Sequence, residues 1–233
     1  MSDWRERTEL LIGSDGLKKL SESHVVVVGA GGVGAAAAEM LVRAGVGHLT
    51  VIDSDVVSVS NINRQLIALN STVGRSKVEV LCERLRDINP DVGLTPLSSY
   101  IKEGDIPVGH PDFLVDAIDT LSPKIALIQH CLAEGIPFVS SMGSGAKTDV
   151  TAVKIADISR TYQCPLAHML RKRLHKLGIT GGFQAVFSSE LPREDAVVLE
   201  ESTNKKSQVG TVSYLPTVFG CACAQVAVCH ILK

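Results

Sequence analysis

The chain has 233 residues, enough for one large α/β domain or two small ones and for a sizeable core. A net charge of −2 at pH 7 excludes a generally basic nucleic-acid coat and leaves room only for a local basic patch. Aromatic residues make up 4%, which argues against a Phe/Tyr platform for stacked bases.

The opening segment, Met1-Ser2-Asp3-Trp4-Arg5-Glu6-Arg7, is charged and carries no apolar signal segment. With six cysteines expected as reduced thiols, it points to the cytoplasm. A helix is predicted over Trp4–Leu11, ending in a turn at Gly13-Ser14-Asp15-Gly16. The apolar run to Val28 predicts a strand over His24–Val28, followed by a helix to about Ala44 that Gly45 and Gly47 stop. A second strand is predicted over His48–Ile52, and a helix over Val73–Ile88 that Asn89-Pro90 closes. Strands follow near Gly93–Leu97, Phe113–Val115 and Phe138–Ser140, with a helix at Ser122–Ala133.

Beyond Ser140 the texture changes. Ser141-Met142-Gly143-Ser144-Gly145 reads as flexible, Val150–Ile158 alternates like an antiparallel strand, and Pro165–Leu177 is a basic helix. Gly178–Gly210 is loop-rich, with a strand at Phe183–Ser188 and disorder expected over Glu190–Lys206. Ser207–Leu232 holds no charged residue, but its helical part, Thr217–Leu232, falls short of the roughly 20 apolar residues that span a membrane. It is expected to be a buried C-terminal helix packed on the sheet. The expected fold is therefore α/β, a doubly wound Rossmann-like, mostly parallel sheet extended by antiparallel strands, with residues 1–233 as a single domain.

The chemistry starts at Gly29-Ala30-Gly31-Gly32-Val33-Gly34. A glycine turn between strand and helix, with glycines at Gly29, Gly31, Gly32 and Gly34, brings bare N–H groups and a helix N-terminus up to a phosphate. Asp53 ends the second strand, where a carboxylate accepts from ribose hydroxyls; a plain strand-end carboxylate is the competing assignment. Asp55 reads as a second polar anchor or as a solvated side chain. Arg64 can fork two phosphate oxygens. Lys77 stands near the start of a helix, where the dipole gives a cation nothing, so a phosphate partner explains it better than a solvated helix face. A nicotinamide site needs no such cations. A site that holds a triphosphate and expels pyrophosphate does, because charge grows on the leaving group.

The ordered set of glycine loop, Asp53-Ser54-Asp55, Asn61-Ile62-Asn63-Arg64-Gln65, Lys77 and Asp116-Ala117-Ile118-Asp119 resembles the ATP-dependent activating enzymes related to ubiquitin-activating enzyme, over nearly the whole chain. The resemblance implies that Asn61, Arg64 and Lys77 bind ATP. It also implies that Asp119 is catalytic, holding Mg²⁺ near the α-phosphate, with Asp116 open to a purely structural reading. Arg7 matches an arginine that dimers of this family insert into the partner's site, with Arg5 as a competing candidate. A homodimer is thereby implied.

Cys164-Pro165-Leu166 and the cationic run after it are similar to the basic helix of one branch, the tRNA threonylcarbamoyladenosine dehydratases. That branch usually carries Asp where Cys164 stands. Arg171, Lys172, Arg173 and Lys176 are then candidates for contact with tRNA, against a plain solvated helix face. The resemblance implies adenylation of the carboxylate of threonylcarbamoyl-adenosine and closure to a cyclic form. It admits a cysteine-desulfurase sulfur-acceptor system as a further partner. The alternative is an adenylyltransferase that activates the C-terminus of a ubiquitin-like sulfur carrier. The cysteines counter it: such enzymes commonly hold zinc through two Cys-x-x-Cys pairs, and this chain has none. Cys221 and Cys223, two apart on a helix, do not face each other and read as buried small hydrophobes.

Overall fold

The computed structural model describes residues 4–199 and 207–233. The four valines before the glycine loop explain the centre of the fold. In strand β1 (His24–Val28), Val25 and Val27 feed one hydrophobic cluster while Val26 and Val28 feed another on the opposite face. A strand covered on both faces belongs in a parallel sheet with helices on each side.

The elements that follow are α2 (Gly32–Ala44), β2 (His48–Ile52), α3 (Lys77–Ile88), β3 (Gly93–Leu97), β4 (Phe113–Asp116), α4 (Leu121–Glu134) and β5 (Phe138–Ser141). The later ones are β6 (Val153–Asp157), α5 (Pro165–Lys176), β7 (Gln184–Ser188), β8 (Val197–Leu199), β9 (Ser207–Val209) and α6 (Tyr214–Ile231). One sheet has the order β3-β2-β1-β4-β5-β7-β6, parallel throughout except that β6 runs antiparallel to β7. The order reverses between β1 and β4. Open α/β sheets bind ligands at the carboxyl ends of the strands flanking such a switch.

Helices α2, α3 and α6 and the second half of α1 (Glu6–Glu22) cover one face; α4 and α5 cover the other. α6 lies against α2 so closely that a Cβ on Gly220 would meet Val33 O at 2.5 Å. Its inner residues Leu215, Phe219, Cys223 and Ala227 are fully buried in the core.

Four expectations need correction. The first helix does not end at Leu11; it resumes after a single non-helical residue, Gly13 (φ 76°), because Leu17 and Leu20 further on bury against the core. α3 begins at Lys77 rather than Val73, since the backbone of 74–75 is tied to Val57 by Gly74 N→Val57 O (2.8 Å) and Val57 N→Arg75 O (2.9 Å). α6 begins at Tyr214, before Pro216, whose missing N–H falls in a first turn that has no use for it. Of the segment expected to be disordered, 190–199 are described and include β8, which pairs antiparallel with β9; residues 200–206 lie outside the described residues. The helix α6 is also long and apolar enough to cross a membrane by length and composition.

Cysteine burial splits by helix face. Cys223 is buried as expected, whereas Cys221 is exposed, because two residues on a helix turn it outward. Burial pushes the thiols of Cys131 and Cys223 up to about 12, which leaves them inert.

Candidate active site

The glycine loop sits at the switch point. Gly29 N–H donates to Ile52 O at 2.7 Å, and Ala117 N–H donates to Val28 O at 2.8 Å, so the loops after β1 and β4 lie side by side. The four glycines are not equivalent. A Cβ on Gly34 would fall 1.7 Å from Gly29 O, one on Gly29 would fall 2.8 Å from Ala117 O, and one on Gly32 would fall 2.9 Å from Pro216 Cβ. These three are demanded by the chain's own packing. A Cβ on Gly31 would have no neighbour nearer than Gln65 Nε2, at 3.8 Å. Gly31 caps α2 with extended backbone (φ −79°, ψ −157°) that any residue adopts. Open space at the helix N-terminus is what an approaching phosphate uses.

A relay of hydrogen bonds runs from this loop to a buried cation. Asp53 Oδ2 accepts from Ala30 N–H at 2.6 Å and Oδ1 from Asp55 N–H at 2.8 Å. Asp55 Oδ2 accepts from Lys77 Nζ at 2.7 Å. The Lys77 side chain is 7% exposed and that of Asp55 is 66% exposed. Asp53 thus fastens the glycine loop to the end of β2 through Oδ2, shapes the turn after β2 through Oδ1, and keeps further lone pairs for a ligand. Asp55, read from sequence as an anchor or a solvated group, is the partner that holds Lys77.

The Asn61–Gln65 turn packs on the start of α2: a Cβ on Gly32 would lie 3.1 Å from Arg64 O. Buried Asn61 accepts from Ser58 N–H at 3.0 Å and so shapes this turn. Arg64 Nη1 donates to Ser60 O (2.8 Å) and to Asn63 Oδ1 (2.7 Å), which holds the guanidinium in place. Gln65 received no role from sequence, although it adjoins Arg64. It is buried, and its Oε1 has no hydrogen-bond partner among the described residues.

Asp119 is exposed three residues past β4. Beneath it lies a polar network that sequence reasoning left open. Asp116 Oδ2 accepts from Lys124 Nζ at 2.7 Å and from Ser140 Oγ at 2.6 Å, and its Oδ1 accepts from Ile118 N–H at 3.1 Å. Asp116, Lys124 and Ser140 are fully buried. Asp116 is therefore a structural residue that orients the loop carrying Asp119.

Two groups of predicted residues are not gathered here. Arg7 is exposed on α1, and its neighbour Arg5 packs near Gly45 at the far end of α2. That helix has 13 residues and is about 20 Å long, so Arg7 is remote from its own glycine loop. Helix α5 starts at the glycine-loop edge, where Lys147 Nζ bridges Gln163 O (3.1 Å) and Ser188 O (2.8 Å) at the end of β7. It then runs antiparallel to β7. Lys172, Arg173 and Lys176 are exposed about 12–18 Å along it. Arg171 departs from this set: it is half-buried and donates to Thr161 Oγ1.

The model of the ThiF family matches residues 6–233. A tRNA threonylcarbamoyladenosine dehydratase of Bacillus subtilis is 42% identical over 97% of this chain and 94% of its own length. One from Escherichia coli is 37% identical over 99% of this chain and 93% of its own length. The crystal structure of the E. coli tRNA N6-threonylcarbamoyladenosine dehydratase in complex with ATP superposes with a TM-score of 0.88 at 34% identity, covering 99% of this chain and 96% of that one.

Proposed function

The chain belongs to the ThiF family, and on that premise we propose that it is an ATP-dependent tRNA threonylcarbamoyladenosine dehydratase. The observation that carries the ATP-dependent part of the reading is the relay Ala30–Asp53–Asp55–Lys77, which couples a phosphate-binding glycine loop to a desolvated lysine. The dehydratase part is supported by the likeness to two such enzymes over 97% and 99% of this chain. A cation such as Lys77 serves a leaving pyrophosphate and has no task in nicotinamide binding.

The α-phosphate and its neighbours meet the N–H groups at Gly31 and the α2 N-terminus. Asp53 accepts from the ribose, Asn61 and Gln65 supply polar contacts to the nucleotide, and Arg64 and Lys77 draw the β- and γ-phosphates. The free carboxylate of the threonylcarbamoyl group attacks the α-phosphorus, and the bond to pyrophosphate breaks. A nitrogen or oxygen of the same carbamoyl group then attacks the acyl-adenylate carbon and AMP leaves. The ring closes with net loss of one water from the nucleoside. No protein nucleophile is needed, because the attacking group is tethered.

Mg²⁺ fits a site of this kind through one carboxylate, Asp119, together with phosphate oxygens, and when bound it neutralises triphosphate charge. Among the described residues no cluster of three or more His, Cys, Asp or Glu side chains forms an all-protein cage. A homodimer accounts for Arg7: the same helix exposes Leu10 and Leu11 at 82% and 85%, an apolar face suited to a second copy that would bring Arg7 to the partner's ATP. Mixing Arg7→Ala and Asp119→Ala chains should then restore part of the activity each lacks alone. Residues 1–233 act as a single adenylation domain in the cytoplasm, and Lys172, Arg173 and Lys176 track the tRNA backbone.

The test is to incubate the protein with ATP and tRNA bearing threonylcarbamoyladenosine, then digest and weigh the nucleoside. A loss of one water that requires ATP supports the reading. An unchanged nucleoside, or tight binding of NADH without binding of ATP, overturns it.

A further inference from the structure

A shallow open cavity of about 400 Å³ lies at the N-terminus of α5, lined by Tyr162, His168, Arg171 and Pro192 among others. Among the described residues no carboxylate lines it. Tyr162 is 44% exposed in a chain that has three tyrosines. Its ring meets Phe187 edge-on, at 5.5 Å and 71°, which fixes the ring without covering it with a second stacked ring. Lys154, on the edge strand β6, donates to the phenol oxygen at 2.7 Å and stands 5.4 Å from the ring centroid. That ammonium also pulls the phenol below its usual range.

The cavity adjoins the active-site edge. Gln163, in its wall, is tied by Lys147 to the end of β7, and Cys164 Sγ lies 3.8 Å from where a Cβ on Gly143, in the loop after β5, would stand. It falls between the glycine-loop edge and the basic stretch of α5. Resting on the tRNA reading above, we infer that this cavity takes an unstacked nucleobase of the RNA loop that carries the modified adenosine, stacked on Tyr162 with its phosphate at Lys154. An aromatic face beside a cation is the arrangement that binds single-stranded nucleic acid, where bases splay out of a loop. A Gly-Gly peptide tail offers no ring to stack. The low aromatic content of the chain pointed away from a stacking platform, but one ring in the right place suffices.

The test is binding of a fluorescent anticodon stem-loop RNA carrying threonylcarbamoyladenosine, titrated against salt. Tyr162→Ala should weaken binding about tenfold or more, the scale of removing one base–aromatic stack. The slope of log affinity against log salt should stay as in the parent, because every cation that meets a phosphate is kept. Tyr162→Trp should bind at least as well as the parent. Calorimetry with ATP serves as the check on folding and should be unchanged. Parental RNA affinity in Tyr162→Ala, or an equal weakening in Tyr162→Trp, overturns the inference. A parent that binds no RNA overturns the tRNA reading itself, which is a separate result.

Discussion

Two lysine–aspartate pairs flank the glycine loop at the same 2.7 Å separation, and they do opposite jobs. Lys124 and Asp116 are both 0% exposed, and Asp116 is bonded to the protein's own groups through both oxygens. Lys77 is almost as withdrawn from water, yet its partner Asp55 is 66% exposed at the mouth of the site. A pair closed on both sides fixes a backbone. A pair open on one side holds a charge in readiness. Bond length does not distinguish them; the exposure of the carboxylate does.

The sharpest way to break this contrast is to remove each lysine. Lys124→Met leaves the Asp116 carboxylate buried without its counter-ion, which should cost about 3–5 kcal/mol of stability in a denaturant titration. Lys77→Ala leaves a carboxylate that water can reach, so it should cost less stability than Lys124→Met. AMP formation should nonetheless fall by ~10²–10³, and Asp119→Ala should do the same. If Lys77→Ala unfolds the protein and Lys124→Met does not, the two roles are reversed.

The glycines allow a second version of the same comparison. Gly34→Ala places a methyl 1.7 Å from Gly29 O and should prevent folding. Gly31→Ala should fold with unchanged melting behaviour but lose ATP affinity by at least about tenfold, or about 1.4 kcal/mol, in calorimetry. Normal ATP affinity in that variant would mean the phosphates lie elsewhere. The smallest effect is expected on the far side of the sheet. Reversing Lys172, Arg173 and Lys176 to Glu should lower the slope of log tRNA affinity against log salt by about 0.7–0.9 for each phosphate no longer neutralised, with ATP binding intact. Including Arg171 should add little to the slope, since it is spent on Thr161.

What was legible in the sequence follows the same divide. The glycine loop, Asp53 and the two strands that lead into them could be read because a phosphate turn needs particular residues at fixed spacings. The burial of Lys77 could not, since it depends on Asp55, 22 residues earlier, and on the backbone tie between Val57 and 74–75. Nor could Gly31 be told from Gly34, because both are glycines in one motif and only packing separates them. In the second half the residue types are ordinary. A cationic helix reads alike whether an arginine is tethered, as Arg171 is, or exposed, as Arg173 is. Tyr162 carries no sequence signal at all; the return of the chain from the end of β6 to the start of α5 puts it beside Lys154.

The most direct measurement follows labelled ATP in three parallel reactions: with tRNA bearing threonylcarbamoyladenosine, with the same tRNA lacking the modification, and with a ubiquitin-like sulfur-carrier protein. AMP and pyrophosphate should form in the first reaction alone, and there ~10²–10³ more slowly once Lys77 is replaced by Ala. AMP formed with the sulfur carrier and not with the modified tRNA would contradict the dehydratase assignment.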